Sequence, residues 1–309
     1  MEGCAQIEWT HDCETFLPPT VLSIQSHTVH GYVGNKSAVF PLQLLGFEVD
    51  PINSVQFSNH TGYPTFTGHV LQGDQLTELV DGLKQNNLLD YSYVLTGYIG
   101  SASFLRAVLE IVHTLRRSND DLCYICDPVM GDQGKLYVPE QLVDIYRNEV
   151  LPLAEMITPN QFEAELLTGQ KIRSIDEASV ACKHMHRRGP GTVIITSLRV
   201  CGDDENIYMF ASQFAEGSYH QWQLSLPSLQ DQFTGTGDLT AALILAWTHK
   251  LKSPGSVGEV LEKVAASVQG VLQRTQRAGR EELCLVQSQR ELLSPRVSAR
   301  ARVILSGSG

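Results

Sequence analysis

The sequence predicts an α/β fold, in which helices cover both faces of a mostly parallel central sheet. Short apolar segments rich in branched side chains alternate along the chain with longer amphipathic segments. This alternation is typical of βαβ units, whose strands pair in parallel and are buried on both faces. The 309 residues show no internal repeat and no linker between two halves, so we expect a single domain.

The elements alternate as far as residue 197, and glycines or prolines separate most of them. Six segments predict the strands of the parallel sheet: 21–26, 47–54, 93–97, 123–126, 156–158 and 192–197. The helices predicted between and after them are 36–45, 74–84, 103–116, one that begins at 138–140, 160–167 and 175–188. Asp74 and Thr158 are predicted N-caps, and Gly46 and Gly169 are predicted helix stops.

The last third of the chain departs from this alternation. The segments 208–210 and 221–224 predict a β-hairpin, and the segments 239–250 and 257–276 predict two helices. Alternation with period two over 296–303 predicts a half-buried edge strand. We therefore expect a flexible N-terminal extension (1–20), one domain (21–305) and a flexible tail (306–309).

Composition and charge exclude several classes of protein. Hydrophobic residues make up 42% of the chain and charged residues 18%, which is ordinary for a soluble globular protein. A net charge of −11 provides no basic footprint for nucleic acid. Residues 1–20 carry no Lys or Arg, unlike a secretory or mitochondrial leader, and the apolar run 241–247 is too short to span a membrane. The odd, irregularly spaced set of seven cysteines favours reduced thiols, so we expect a cytoplasmic location.

One motif dominates the functional interpretation, the sequence Phe-Thr-Gly-Thr-Gly-Asp at residues 233–238. Its two glycines, Gly235 and Gly237, predict a tight turn that enters the N-terminus of an apolar helix. Free N–H groups at such an end favour a bound phosphate. Asp238 would repel that anion, so it makes more sense as a base acting on a group beside the phosphate. The motif therefore predicts a small-molecule kinase.

Polar side chains follow nearly every predicted strand, where the carboxyl ends of parallel strands form a ligand crevice. They are Ser26 and His27, the loop 58–63, Thr96 and Tyr98, Asp127, residues 158–163, Thr196 and Ser197, and finally the turn 235–238. The sequence contains neither a P-loop of the Walker type nor a protein-kinase signature. The phosphate cradle must therefore be of another kind.

Several of these residues leave two interpretations open. Asp127 and Asp132 either position a hydrated Mg²⁺ or an alkali ion, or simply favour a turn. Asn160 and Glu163 either hold Mg²⁺ through water or belong to a helix N-terminus. The Thr196–Ser197 pair either contacts a nucleotide phosphate or closes a turn. Cys123 and Cys126 form a C-x-x-C sequence, but on a strand they face opposite sides, which favours two core thiols over a metal or redox pair.

These motifs together resemble the pyridoxal kinase family of the ribokinase-like superfamily. The similarity extends from about residue 21 to 250, and more weakly to Arg290. The turn 233–238 is shared across the superfamily, whereas the stretch Asn53–Tyr63 is particular to pyridoxal kinases. The matching stretches are 22–27, 31–35, 53–63, 95–98, 126–132, 157–167 and 233–250.

The resemblance implies a three-layer αβα sandwich and transfer of the ATP γ-phosphoryl group to the 5′-hydroxymethyl group of pyridoxal, pyridoxine or pyridoxamine. Asp238 matches the base, and Gly235, Thr236 and Gly237 match the anion hole, so these four are the implied catalytic residues. The positions that match the vitamin site are Ser26, Thr61, Tyr98, Tyr137 and Asp238. The ATP positions are Asp127, Thr158, Asn160, Glu163, Thr196, Ser197, Phe233, Gly235 and Thr236, and the metal positions are Asp127, Asp132, Thr158 and Glu163.

The resemblance further implies Mg-ATP as cosubstrate (zinc in some members), activation by K⁺ or Na⁺, and a homodimer. The region 199–230 matches the family poorly, so adenine contacts there stay unassigned. Two alternatives remain: a hydroxymethylpyrimidine or sugar kinase of the same fold, and a non-catalytic vitamin B6 or nucleotide binder. Asp238 argues against a pyrimidine kinase, which generally carries Cys there, and against a binder, which needs no base. The loop 58–63 argues against a sugar kinase, because sugar kinases lack it.

Overall fold

The computed structural model describes residues 18–229, 233–252 and 255–308. Twelve strands lie in these ranges: β1 (Thr20–Thr28), β2 (Glu48–Phe57), β3 (Gly68–Val70), β4 (Tyr93–Thr96), β5 (Cys123–Cys126), β6 (Gly131–Asp132), β7 (Lys135–Leu136), β8 (Met156–Ile157), β9 (Thr192–Leu198), β10 (Asn206–Ala215), β11 (Ser218–Pro227) and β12 (Arg302–Ser308). The α-helices there are α1 (Asn35–Leu44), α2 (Gly73–Gln85), α3 (Ala102–Ser118), α4 (Gln141–Ile145), α5 (Gln161–Thr168), α6 (Ile175–His186), α7 (Thr236–Leu251), α8 (Val257–Arg277) and α9 (Gln289–Leu293). A π-helical turn (Tyr146–Val150) continues α4, and a 3₁₀ turn (Val286–Ser288) precedes α9.

Ten strands form one sheet in the order β12-β11-β10-β9-β8-β5-β4-β1-β2-β3. The six central strands, from β9 to β2, all pair in parallel. The hairpin β10–β11, the strand β12 and the short strand β3 add antiparallel edges. Strand β1 has β2 as its neighbour on one side and β4 on the other. The strand order therefore reverses direction between β1 and β4, and such a reversal opens a crevice at the carboxyl ends of these two strands.

Helices cover both faces of this sheet, which confirms the predicted three-layer α/β architecture. Residues of α2 to α6 pack in one buried cluster, and residues of α1, α7, α8 and α9 pack in the other. Helix α7 is the most deeply placed, since its residues 239–247 are all buried. Full burial of one large apolar side chain contributes about 1.5–3 kcal/mol. The apolar body of α7 therefore fixes the position of its N-terminal turn.

The structure corrects three details of the sequence predictions. The N-cap of α2 is Gln72, not Asp74, because Gln72 and Gln75 form a reciprocal capping box. The N-cap of α5 is Asn160, not Thr158, because Asn160 and Glu163 also form a reciprocal capping box. The C-terminal edge strand is displaced from 296–303 to Arg302–Ser308.

The chain termini bear on the predicted domain division. Residues 1–17 and 309 lie outside the described part, and residues 302–308 pair with β11 along their backbone. The division into one domain with flexible ends stays a prediction.

Cys126 belongs to one buried cluster and Cys123 packs against the other, so the two thiols do face opposite sides of the sheet. None of the helices in the described ranges is long and apolar enough to cross a membrane.

Candidate active site

The turn before α7 can be made only with glycine at position 235. Gly235 has φ of 85°, a conformation that residues with a side chain rarely adopt. A Cβ atom there would lie 1.9 Å from the carbonyl oxygen of Tyr32. Thr236 closes the turn by donating its hydroxyl hydrogen to the carbonyl oxygen of Phe233 at 2.8 Å. Within the described part of the chain no side chain caps the first N–H groups of α7, so these groups can donate to an anion.

Asp238 lies in the first turn of α7, on the same side as this anion cradle. Its Oδ2 accepts the backbone N–H of Gly34 at 2.7 Å. Desolvation by the surrounding protein raises the pKa of the Asp238 carboxyl to about 6, although the Gly34 hydrogen bond acts in the opposite direction. A carboxylate with a pKa near 6 is ionised at neutral pH and is a stronger base than an ordinary aspartate.

Gly34 also packs against Ser26, near the carboxyl end of β1. A Cβ on Gly34 would lie 2.0 Å from the carbonyl oxygen of Ser26 and 2.4 Å from its hydroxyl oxygen. The carboxyl end of β1 is therefore in direct contact with the residue that donates to Asp238. Ser26 and Asp238, which are far apart in sequence, flank one point of the crevice.

Asp127 faces the turn from the end of β5. Its side chain is 6% exposed, and a Cβ on Gly237 would lie 3.7 Å from its Oδ2. Burial, followed by the nearby carboxylates of Glu163 and Asp238, raises the pKa of Asp127 well above its usual range, and a hydrogen bond with Thr158 lowers it. Asp127 and the anion cradle therefore border the same space.

Glu163 is buried and is held by the backbone on both carboxylate oxygens. One oxygen accepts the N–H groups of Met130 (2.9 Å) and Gly131 (3.4 Å), and the other accepts that of Asn160 (2.8 Å). Burial raises its pKa to about 8 in spite of these bonds. The side-chain amide of Asn160 also donates to the carbonyl oxygen of Gly131 at 2.8 Å, so Asn160 and Glu163 together join the loop at 130–131 to the start of α5. The capping interpretation thus accounts for these contacts, and a metal role for Glu163 stays a prediction.

The acidic groups here suit a hard cation. None of the ion pairs within the described ranges involves Asp127, Glu163 or Asp238. Buried carboxylates without a cationic partner are costly, and oxygen donors are the ligands that Mg²⁺ prefers. Among residues 18–229, 233–252 and 255–308, no three His, Cys, Asp or Glu side chains are placed to bind a metal alone. A divalent ion at this position would complete its coordination with water and phosphate oxygens.

The other residues implied for the site lie at the same edge of the sheet. Tyr98 follows β4 and accepts the Ser54 hydroxyl hydrogen on its carbonyl oxygen at 3.1 Å. Tyr137 follows the small hairpin β6–β7 and is 52% exposed. Desolvation, followed by the charges of Asp132 and Glu163, raises the pKa of its hydroxyl. Thr196 lies against the carbonyl oxygen of Pro159, to which its N–H donates at 2.9 Å. Exposed Thr61 and half-buried Ser197 are at the ends of β2 and β9.

Two residues at this edge were missed as site residues by the sequence analysis. Gly34 belongs to a matching stretch, but nothing in the sequence indicates that its N–H reaches Asp238, 204 residues away. Glu282 contacts the loop 58–67 and the turn at Gly31–Tyr32 from the segment after α8. Its sequence context, a polar segment before a short apolar run, gives no signal of this position.

Comparison with known proteins agrees with this geometry. The family model described as phosphomethylpyrimidine kinase matches residues 76–282. A pyridoxal kinase of Arabidopsis thaliana is 52% identical, over 91% of this chain and 93% of the relative, and that of Homo sapiens is 44% identical, over 92% and 98%. A structure of the Leishmania donovani pyridoxal kinase in complex with ADP and pyridoxamine has a TM-score of 0.87 at 37% identity, covering 93% of this chain and 99% of that one.

The family model covers the chain from within α2 to just beyond the end of α8, and the relatives match a larger share of the chain than that model does. The identities and coverages exceed what a shared fold alone would give. By its sequence, its ribokinase-like architecture and its crevice, the chain belongs to the pyridoxal kinase family of ATP-dependent phosphotransferases.

Proposed function

We propose that this chain phosphorylates the 5′-hydroxymethyl group of pyridoxal, pyridoxine and pyridoxamine with the γ-phosphoryl group of ATP. The observation that carries the proposal is the position of Asp238. A carboxylate of raised pKa stands beside an open helix N-terminus, oriented through one oxygen by the Gly34 N–H. That arrangement places a base next to an anion cradle, which is what phosphoryl transfer to an alcohol requires.

In this reaction Asp238 accepts the hydroxyl proton as the new oxygen–phosphorus bond forms and the bond to ADP breaks. The proton becomes acidic only in the transition state, so the contribution of Asp238 belongs to turnover more than to binding. The N–H groups at the turn Gly235–Gly237 stabilise the charge on the migrating phosphoryl group. The buried residues of α7 hold this helix in place, so the anion cradle and Asp238 keep their positions relative to each other.

The remaining implied residues receive corresponding roles in the proposal. Asp127, Asp132, Thr158 and Glu163 would hold the metal, directly or through water, and a bound Mg²⁺ would neutralise phosphate charge. Asn160, Thr196, Ser197 and Phe233 border the nucleotide with them. Ser26, Thr61, Tyr98 and Tyr137 contact the vitamin, and exposed Tyr137 covers it. We further propose a K⁺ or Na⁺ ion near the phosphates, a homodimer and a cytoplasmic location, as in the family.

A second candidate function is phosphorylation of hydroxymethylpyrimidine. The match of residues 76–282 to the phosphomethylpyrimidine kinase model favours it, because that model covers the catalytic turn. Asp238 and the loop 58–63 favour pyridoxal. Pyrimidine kinases of this fold generally carry Cys at the position of Asp238, and the stretch Asn53–Tyr63 is particular to pyridoxal kinases.

A turnover assay with the full chain separates these candidates. The purified protein with Mg-ATP and K⁺ is offered pyridoxal, pyridoxine, pyridoxamine, hydroxymethylpyrimidine and ribose in parallel, and ADP release is measured. We expect release with the three B6 vitamers well above the other two compounds. Preferential turnover of hydroxymethylpyrimidine would support the second candidate, and no release with any compound would leave a binding protein as the conclusion.

A further inference from the structure

Glu282 is a buried carboxylate outside the residues assigned to catalysis above. It lies in the segment between α8 and the 3₁₀ turn, and it is 7% exposed. A buried carboxylate requires partners, since an unpaired one is costly. Its partners all belong to the N-terminal part of the chain, more than two hundred residues earlier.

The carboxylate joins two separate segments of the N-terminal part. One oxygen accepts the backbone N–H of Tyr32 at 3.0 Å. The other accepts the hydroxyl hydrogen of Tyr63 at 2.9 Å and lies 3.2 Å from Nε2 of His60. Tyr63 and His60 belong to the loop 58–67, which follows β2 and carries Thr61. Glu282 therefore ties this loop to the turn that precedes α1.

The ring of His60 lies between the backbone of the loop and Glu282. Nδ1 of His60 accepts the backbone N–H of Gly62 at 3.1 Å. Nε2, on the opposite side of the ring, lies 3.2 Å from the Glu282 carboxylate. Thr61 stands between His60 and Gly62 in the sequence. The Gly62 bond therefore closes a short turn around Thr61, and the Glu282 carboxylate lies against the histidine that begins this turn.

The turn Gly31–Gly34, which contacts Glu282 through the N–H of Tyr32, also contacts Gly235 and Asp238. A Cβ on Gly31 would lie 2.4 to 2.6 Å from the carboxylate atoms, so only glycine allows the carboxylate to approach. The carbonyl oxygen of Tyr32 packs on Gly235, and the N–H of Gly34 binds Asp238. A single short turn thus connects Glu282 to the base and to the anion cradle.

We propose that Glu282 is a positioning residue for the acceptor side of the site. It holds the loop that carries Thr61 at a fixed distance from the turn that orients Asp238. This inference rests on the proposed function, because the acceptor it positions is the B6 vitamer. Glu282 acts through His60, Tyr63 and Tyr32 and does not itself touch the reacting atoms.

The test compares Glu282→Ala, Glu282→Gln and Tyr63→Phe with the wild type. We expect Glu282→Ala to raise KM for pyridoxal about tenfold, since it leaves the half-buried donors of Tyr32 and Tyr63 without their acceptor, while KM for ATP changes less than about twofold. Glu282→Gln keeps an acceptor oxygen and should recover part of the loss. Tyr63→Phe removes one bond and should raise KM for pyridoxal by about two- to fivefold.

A matched control is Glu291→Gln, which removes another carboxylate of the same C-terminal region, paired with Arg274 and not with the loop. We expect it to leave both KM values unchanged. Amide hydrogen exchange provides a readout without activity: exchange in 58–67 should accelerate in Glu282→Ala and Tyr63→Phe but not in Glu291→Gln, with protection in β4 and β5 retained.

Three outcomes would overturn the inference: unchanged KM for pyridoxal in both Glu282→Ala and Tyr63→Phe, an equal rise in KM for ATP, or unchanged exchange in the loop. Failure of the proposed function looks different. In that case the wild-type protein itself shows no turnover of pyridoxal, while the exchange experiment still reports whether Glu282 holds the loop.

Discussion

Glu163 and Asp238 are carboxylates at opposite sides of one crevice, and the backbone surrounds them very differently. Glu163 accepts three backbone N–H groups, distributed over both of its oxygens. Asp238 accepts one, from Gly34, and only through Oδ2 within the described part of the chain. Both pKa values are raised by desolvation, to about 8 for Glu163 and to about 6 for Asp238.

The difference indicates that a buried carboxylate can serve either of two purposes. The contacts of Glu163 fasten the loop 130–131 to the start of α5, so its carboxylate is largely committed to structure. The single contact of Asp238 orients the carboxylate and leaves its other oxygen available to a substrate. A raised pKa therefore does not by itself identify the base; the number of backbone donors already bound distinguishes the two groups.

The strongest test of this comparison is Asp238→Asn. We expect kcat to fall by about 10² or more, because the amide cannot accept the hydroxyl proton. Binding of pyridoxal and of ATP should change little, since the amide preserves shape and can still accept the Gly34 N–H. Single-turnover kinetics and equilibrium binding measure the two effects separately. A kcat close to that of the wild type would remove Asp238 from the role of base.

The counterpart is Glu163→Gln, for which we expect the larger effect on stability. The glutamine amide keeps one acceptor oxygen. Its NH₂ group replaces the second oxygen and faces the backbone N–H donors that this oxygen accepts in the wild type. Leaving a buried donor unpaired costs about 1–3 kcal/mol in unfolding free energy. Chemical denaturation of Glu163→Gln and Asp238→Asn side by side measures it. If Asp238→Asn were destabilised more than Glu163→Gln, the assignment of the two carboxylates would be reversed.

The smallest expected effect is a pH dependence of the wild-type enzyme. Asp238 must be ionised to accept a proton, so kcat/KM for pyridoxal should fall as the pH drops below about 6, the pKa of that carboxyl. The decline should approach tenfold for each pH unit below that value. Initial rates between pH 5 and 8 under constant ionic strength provide the profile. A profile that stays flat down to pH 5 would contradict the raised pKa of Asp238.

Much of the fold and part of the site can be predicted from sequence because their signals are local. The strands β4, β5 and β9 appear as short, mainly apolar runs, and the turn 235–238 combines glycines, a carboxylate and the start of an apolar helix within a few residues. Capping was less predictable: Gln72 displaced Asp74, and Asn160 displaced Thr158, since reciprocal side-chain bonds decided both helix starts.

The rest could not be predicted because it depends on contacts distant in sequence. The bond from Gly34 to Asp238 spans 204 residues, and that from Tyr32 to Glu282 spans 250. No periodicity or motif records such a pairing. The small hairpin β6–β7, which leads to Tyr137, was missed since two-residue strands are shorter than any pattern can reveal.

The position of Glu282 also has a consequence for synthesis on the ribosome. The chain emerges from its N-terminus at about 5–20 residues per second, so β1, the loop 58–67 and the parallel strands precede Glu282 by many seconds. Until that carboxylate is released, the loop and the turn at Tyr32 lack the group that joins them. The junction between the loop 58–67 and the turn at Tyr32 is therefore among the last parts of the nascent protein to become complete, after most of the sheet that supports it.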